Sequence, residues 1–186
     1  MPDQIASITY VHRVRQLIKG LERITDILGK GISWLTILMV LATCVVVILR
    51  RGLDVGSIAL QESVTYMHAA VFLLGAAYAL KQGAQVRVDI FYRQFSQRSK
   101  AWVDSLGALT LLLPVSIFIG VISWDFVMNS WLIREQSTDS GGVGMVYILK
   151  ALIPLAAASL CIQAIAELLR NLLVLMDLGS DEDAAP

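Results

Sequence analysis

Very few residues of this chain have the types and spacing that catalysis or metal binding requires. A haem held between two histidines needs both in apolar segments, and only His68 lies in one, because His12 is close to the N-terminus. Cys44 and Cys161 form no Cys-x-x-Cys motif and are too few for a four-ligand zinc site. No glycine-rich phosphate loop occurs. The sequence therefore predicts a protein that is not an enzyme, with no cofactor and no metal.

A polar sequence opens the second apolar segment, at Gln61, Glu62 and Ser63. The carboxylate of Glu62 has two interpretations: it extends to the lipid headgroups, or it makes a polar contact with a partner helix. The second interpretation follows from the high cost of an unpaired charge inside a bilayer. His68 lies about 9 Å further along a helix. It is interpreted either as a hydrogen-bonded packing residue or as a ligand, and the packing role is the commoner one.

Small residues recur at every fourth position towards the end of the same segment, at Gly75, Ala79 and Gly83. This spacing places them on one face of a helix and lets a second helix approach closely. The pattern predicts a helix contact that includes Gly75 and Ala79.

Two further polar motifs lie outside the apolar segments. Arg87 and Asp89 are two residues apart, and are interpreted either as part of a positively charged loop or as groups that make directional hydrogen bonds. Glu135 and Ser137 lie in the next connection, where an acidic side chain usually faces water.

The segments that must position these residues are too apolar for a soluble domain. The 186 residues are 56% hydrophobic and 16% charged, whereas soluble domains have roughly 25% charged residues. Lys and Arg number 15 and so do Asp and Glu, which argues against a nucleic-acid-binding surface. Four stretches lack Asp, Glu, Lys and Arg over about the length of a membrane span: Gly31–Leu49, Ser63–Leu80, Ser105–Trp124 and Ala151–Ala166. The predicted fold class is an all-α membrane protein with four transmembrane helices.

The flanks of this membrane domain, residues 31–172, differ from it in composition. Apolar residues recur at helical spacing within residues 1–30, with basic residues on the other face. This pattern predicts an amphipathic helix that lies in the membrane interface before the first span; a cytoplasmic helix packed on protein is the alternative. Residues 173–186 are predicted to form an acidic cytoplasmic tail.

Basic residues are distributed unequally between the connections. Five precede the first span and five lie between the second and third, whereas the other two connections hold Arg50, Arg51 and Arg134. Because basic residues remain on the cytoplasmic side, both termini are predicted to be cytoplasmic.

Several motifs follow one another in a specific order between Leu60 and Leu173. They are Glu62, Gly75–Leu80, Val86-Arg87-Val88-Asp89, Glu135-x-Ser137, Ile153-Pro154 and Gln163. In this order and four-span layout, the chain resembles the small membrane (Q-type) subunit of tripartite ATP-independent periplasmic (TRAP) transporters. Span one agrees in topology only, Gln85 stands where histidine is common, and Gly144 stands where proline is frequent.

The resemblance implies a multi-pass protein of a bacterial inner membrane that takes part in secondary active transport. Such a subunit would brace a large multi-span, sodium-coupled symport subunit. It would also help to dock a periplasmic substrate-binding protein for organic acid uptake. The candidate partner-interface residues are Glu62, Gly75, Ala79, Arg87, Asp89, Glu135 and Ser137, and the membrane lipids are further partners.

Two other function classes stay open on the sequence. One is a self-sufficient four-span exporter that works as a homo-oligomer, although such proteins usually carry a carboxylate inside span one. The other is the membrane anchor of a redox enzyme, which a single intramembrane histidine, His68, disfavours.

Overall fold

The chain forms helices that are long and apolar enough to cross a membrane four times, which confirms the predicted fold class. The computed structural model describes residues 2–84, 92 and 94–176, with side chains from Val11 onwards. The helices are α1 (Pro2–Gly52), α2 (Ile58–Lys81), α3 (Gln97–Gly107), α4 (Leu113–Leu132) and α5 (Val146–Leu175). A π-helical turn, Ala108–Leu112, joins α3 to α4, so that residues 97–132 form the third span. Each of the four predicted apolar stretches lies within one of the spans.

Neighbouring helices α1 and α2 run antiparallel, joined by residues 53–57. The direction is seen in two contacts: Asp26 pairs with Lys81, and Gly29 lies against Tyr78. We call the end of the bundle that carries residues 53–57 and 133–145 the Glu62 end. The opposite end, where α2 stops at Lys81, is the Lys81 end.

Helix α1 is continuous over 51 residues, so the N-terminal segment and the first span belong to one helix. At 1.5 Å per residue it is about 75 Å long. Val14 and Ile18 pack on Leu173 near the end of α5, with Val11 and Leu169 at the edge of this cluster. One face of the amphipathic segment is therefore covered by protein. Its position in the membrane interface stays a prediction.

Small residues let α4 and α5 pack closely. One face of α4 is buried, with successive steps of seven, four and three residues between its members Ser116, Ser123, Val127 and Ser130. On α5 the buried face is rich in alanine, and a Cβ built on Gly120 of α4 would lie 3.5 Å from the Cβ of Ala157. Because neither face presents large side chains, the two backbones approach each other.

The π-helical turn stands directly before the proline of α4. Pro114 has no N–H, so the carbonyl of Thr110 cannot receive its usual α-helical hydrogen bond. A π turn is one of the local rearrangements that accommodate such a defect without ending the helix. The third span consequently continues through Pro114 to Leu132.

The closest approach of α1 and α2 occurs at a glycine. The ring of Tyr78 occupies the place that a Cβ on Gly29 would need, and the Cβ of Tyr78 itself would be only 2.7 Å away. Thr25, Gly29 and Ser33 share this face of α1 at four-residue spacing. The contact sets the distance between the first two spans.

Candidate functional site

The carboxylate of Glu62 joins the start of α2 to the loop between α4 and α5. Helix α2 begins at the N-cap Ser57, whose side chain accepts a hydrogen bond from the N–H of Leu60 at 3.4 Å. One turn later, Glu62 accepts a short hydrogen bond from the hydroxyl of Ser137 and a second, of 2.5 Å, from the backbone N–H of Val143. The carboxylate thus holds two points of a loop that lies more than 70 residues further along the chain.

The loop itself is folded tightly around this carboxylate. Gly141 has a φ of +83°, which favours glycine, and it reverses the chain after Asp139. The hydroxyl of Ser137 also accepts a hydrogen bond of 3.2 Å from the backbone N–H of Asp139. A Cβ on Gly142 would lie 2.8 Å from an oxygen of Glu62 and 2.7 Å from the Cβ of Ser137. Only a residue without a side chain fits at position 142 while the loop keeps this position.

A second charged contact ties the same loop to α5. Glu135, which lies three residues after the end of α4, forms a short salt bridge with Lys150 in the second turn of α5. The ammonium of Lys150 also lies 4.0 Å from the centre of the Phe126 ring, a cation–π contact. Trp131 and Tyr147 pack edge to face beside it, with ring centres 5.0 Å apart. The Glu62 end therefore connects α2, α4 and α5 through one loop.

The Glu135–Lys150 bridge gives an expected pH dependence. Its hydrogen bond to the Lys150 ammonium holds the pKa of Glu135 below its ordinary value of 4.5. A lowered folded-state pKa contributes stability that is complete above pH 4.5 and is lost as pH falls through the folded-state value. We expect Glu135→Gln to lower the thermal unfolding temperature of the purified protein at pH 7, and this difference from wild type to shrink below pH 4.5.

Lys150→Gln is the matched variant for this measurement, because the lowered pKa depends on its ammonium. The part of its destabilisation that comes from the bridge should disappear below pH 4.5, whereas the part that comes from the lost Phe126 contact should remain. A difference between Glu135→Gln and wild type that stays constant from pH 7 to pH 3 would contradict the bridge.

At the Lys81 end, a separate charged cluster joins α1, α2 and α5. The Nζ of Lys81 lies 2.7 Å from Oδ2 of Asp26 and 3.7 Å from Oε2 of Glu22. The carboxylate of Glu22 also pairs with the guanidinium of Arg170 on α5. One turn further along α1, the buried hydroxyl of Thr25 donates a hydrogen bond of 3.1 Å to the side-chain oxygen of Gln163. Gln163 is 1% exposed, so this hydrogen bond satisfies a polar group in the core.

Gln163 stands out among the residues that carried the family resemblance. The structure gives it a definite role, since it is the buried α5 partner of α1 in the Thr25 contact.

The predicted interface residues fall into three groups in the structure. Glu62 and Ser137 are brought into contact within this chain, and Glu135 binds Lys150 rather than facing water alone. Gly75 and Ala79 lie on another side of α2, where a Cβ on Gly75 would meet nothing within 4 Å. The partner role of these residues stays a prediction. Arg87 and Asp89 lie outside the described residues.

The sequence-based reasoning missed three contacts of this site. Gly142 was not singled out, although a Gly-Gly pair in a short loop is a signal for a close backbone approach. No partner was predicted for Lys150, although the acidic residue Glu135 in the preceding loop was the available sign of one. Asp26 and Lys81 were counted only as charges, so their pairing across α1 and α2 was not predicted.

Metal binding has no support in the part of the chain that the structure describes. No group of three His, Cys, Asp or Glu side chains there is close enough to hold a metal ion. At each end of the bundle, the charged groups described above pair with partners at that same end. These contacts hold the helices together.

Comparison with known proteins identifies the family. No curated protein and no solved structure matches the chain. A family model described as "Tripartite ATP-independent periplasmic transporters, DctQ component" matches residues 39–174. The matched residues include Glu62, the loop between α4 and α5, nearly all of α5, and the half of span one nearest the Glu62 end. The match therefore includes part of span one, in which no sequence motif supported the resemblance. This chain belongs to the DctQ component family of tripartite ATP-independent periplasmic transporters.

Proposed function

We propose that this chain is a static brace for the large, sodium-coupled transport subunit of a TRAP transporter. In this role it also forms part of the surface on which a periplasmic binding protein delivers an organic acid. Membership of the family supports a transporter component. The static role is inferred from the contacts described above, whereas the sodium-coupled partner and the organic acid are what the family resemblance implies.

The observation that carries this proposal is that hydrogen bonds and ion pairs connect neighbouring helices at both ends of the bundle. At the Glu62 end, one carboxylate and one salt bridge tie α2 and α5 to the loop that follows α4. At the Lys81 end, Lys81 and Glu22 tie α1, α2 and α5 together. A helix that moved relative to its neighbours during transport would have to break these ion pairs in each cycle. The arrangement suits a subunit whose helices keep their relative positions during transport.

The loop at the Glu62 end supplies the docking surface in this proposal. Ile133 and Arg134 project from the end of α4 and are exposed, and Arg134 has a φ of +47°. The ordered loop beside them presents Asp139 to solvent. A surface whose backbone is already held by Glu62 loses little conformational freedom when a partner binds.

Docking at this surface requires the Glu62 end to face the periplasm, with both termini cytoplasmic. We expect single cysteines at Ser140 to react with a membrane-impermeant maleimide in intact cells, in a background where Cys44 and Cys161 are serine. Cysteines at Gln97, an exposed residue at the other end, should react only after the cells are opened. The opposite labelling pattern would invert the orientation and remove the docking role.

Uptake in proteoliposomes tests the proposed function directly. We expect sodium-dependent uptake of an organic acid only when this chain, the large subunit and the binding protein are all present. The purified chain alone should give no uptake above empty liposomes. Robust uptake by this chain alone would show that it is itself the transporter and would overturn the proposal.

A further inference from the structure

Helix α2 carries a row of residues, all but one of them small or polar, on the side that points away from the rest of the chain. We call this row the outer stripe of α2; it consists of Thr65, His68, Phe72, Gly75, Ala76 and Ala79. Thr65, His68 and Ala76 are exposed, Phe72 is 72% exposed, and Gly75 and Ala79 are half-buried at the edge of the stripe. Glu62 faces another side of α2, because its carboxylate contacts the loop after α4 whereas Thr65, His68 and Phe72 stay exposed.

This stripe is an unusual surface for a helix that faces lipid. His68 is about 15 Å from the start of α2 and about 20 Å from its end, and therefore lies near the middle of the span. Among the described residues it has a ring contact with Phe72, with centres 6.5 Å apart, but no hydrogen-bond partner. Polar side chains at this depth normally face the interior of an assembly rather than hydrocarbon.

The exposed side of α4 shows the contrast. In the middle of the third span, its residues Ile117, Phe118, Val121 and Ile122 are all apolar. Helix α2 is also the least apolar of the four spans. A surface that combines a histidine, a threonine and small residues matches the composition of contacts between transmembrane helices.

We propose that the outer stripe of α2 is the contact surface for a transmembrane helix of the large transport subunit. That helix presents a hydrogen-bonding side chain opposite His68 and larger apolar side chains over Gly75 and Ala79. This inference rests on the proposed function, because it takes the large subunit as the partner. A second copy of this chain fits less well, since a two-fold axis along the stripe sets the exposed Phe72 rings of both copies against each other and holds their small residues apart.

The first experiment compares Gly75→Leu with Gly31→Leu. Neither glycine has an atom within 4 Å of an added Cβ, so the first carbon of each new side chain finds open space in this chain. The pairs Asp26–Lys81 and Gly29–Tyr78 place Gly31 on α1 at nearly the same depth as Gly75. The two variants thus differ only in the helix face that the leucine occupies.

Co-purification of the large subunit with this chain, in detergent at matched expression, is the measurement. We expect Gly75→Leu to reduce the recovered large subunit about tenfold, which corresponds to ~1.4 kcal/mol of lost association free energy. Gly31→Leu should leave the recovery unchanged. The amount of inserted chain and its unfolding temperature, measured for the chain alone, separate loss of contact from misfolding.

The second experiment removes hydrogen-bonding groups while it keeps the shape of Thr65 and an aromatic ring at His68. Thr65→Val is matched by Thr43→Val, a residue of α1 at similar depth that is also exposed. His68→Phe keeps a ring to pack on Phe72 but removes the hydrogen bond. We expect His68→Phe and Thr65→Val to lower recovery about threefold each, and Thr43→Val to be silent. His68→Gln should restore part of the loss, because it keeps a donor and an acceptor.

The outcomes separate this inference from the proposed function. Wild-type chain that recovers the large subunit, with Gly75→Leu and Gly31→Leu alike, would refute the outer stripe while leaving the brace intact. Wild-type chain that recovers no large multi-span protein would overturn both. A change in the size of the pure chain caused by Gly75→Leu would assign the stripe to a second copy and reject the large subunit as its occupant.

Discussion

Gly29→Ala should lower the stability of the protein more than any other single methyl group added to α1. The new Cβ would lie 2.7 Å from the Cβ of Tyr78 and closer still to a carbon of its ring. The Cβ of Tyr78 is bonded to the backbone of α2, so it cannot rotate away. Overpacking of this kind typically costs about 1–3 kcal/mol, and we expect the upper end. For a chain of this size the unfolding temperature should fall by about 2–4 °C for each kcal/mol.

Gly31→Ala is the control for this substitution. Position 31 lies two residues further along the same helix, and an added Cβ there meets nothing within 4 Å. Both changes raise helix propensity by the same amount, up to about 1 kcal/mol, so the difference between them isolates the collision. Equal unfolding temperatures for the two variants would mean that α1 and α2 are not in close contact at Tyr78.

Gly142→Ala should release the loop at the Glu62 end. Its Cβ would stand 2.8 Å from an oxygen of Glu62 and 2.7 Å from the Cβ of Ser137, so the loop must move away from the carboxylate. We expect a loss of about 2 kcal/mol in the free energy of unfolding. Limited proteolysis of the loop between Glu135 and Met145 should become faster in proportion to the population of the open loop.

Gly144→Ala serves as the matched change in the same loop, because the nearest atoms to its added Cβ are 3.9 Å away, in Gln136. It should be silent in both measurements. Glu62→Gln combined with Gly142→Ala should cost less than the sum of the two single changes, because both act on one contact. Additive losses would show that the Gly142 contact with Glu62 contributes nothing to the position of the loop.

The four spans were predictable because their evidence is local. Each apolar stretch is long, free of charge and apolar on all sides, and no tertiary contact is needed to recognise it. The pairing of Glu62 with Ser137 was not predictable in this way. The two residues are 75 positions apart, and their contact depends on the turn at Gly141 and the absence of a side chain at Gly142.

The contact between α1 and α2 illustrates a different reason for failure. Spacing by four was noticed at Gly75 and Ala79, yet Thr25, Gly29 and Ser33 have the same spacing. Small residues indicate that a helix can be approached closely, but they do not tell which neighbour does so. In the structure Tyr78 fills the space at Gly29, while Gly75 stays open.

The ion pair between Asp26 and Lys81 also has a consequence for how this subunit meets bilayers of different thickness. Because the pair and the Gly29–Tyr78 contact prevent α2 from sliding along α1, the two helices cannot adjust their vertical offset separately. Helix α2 spans 24 residues, about 36 Å along its axis. A thinner membrane must therefore be matched by tilting the bundle as one body or by deforming the surrounding lipid, so that this subunit imposes a local hydrophobic thickness on its neighbours.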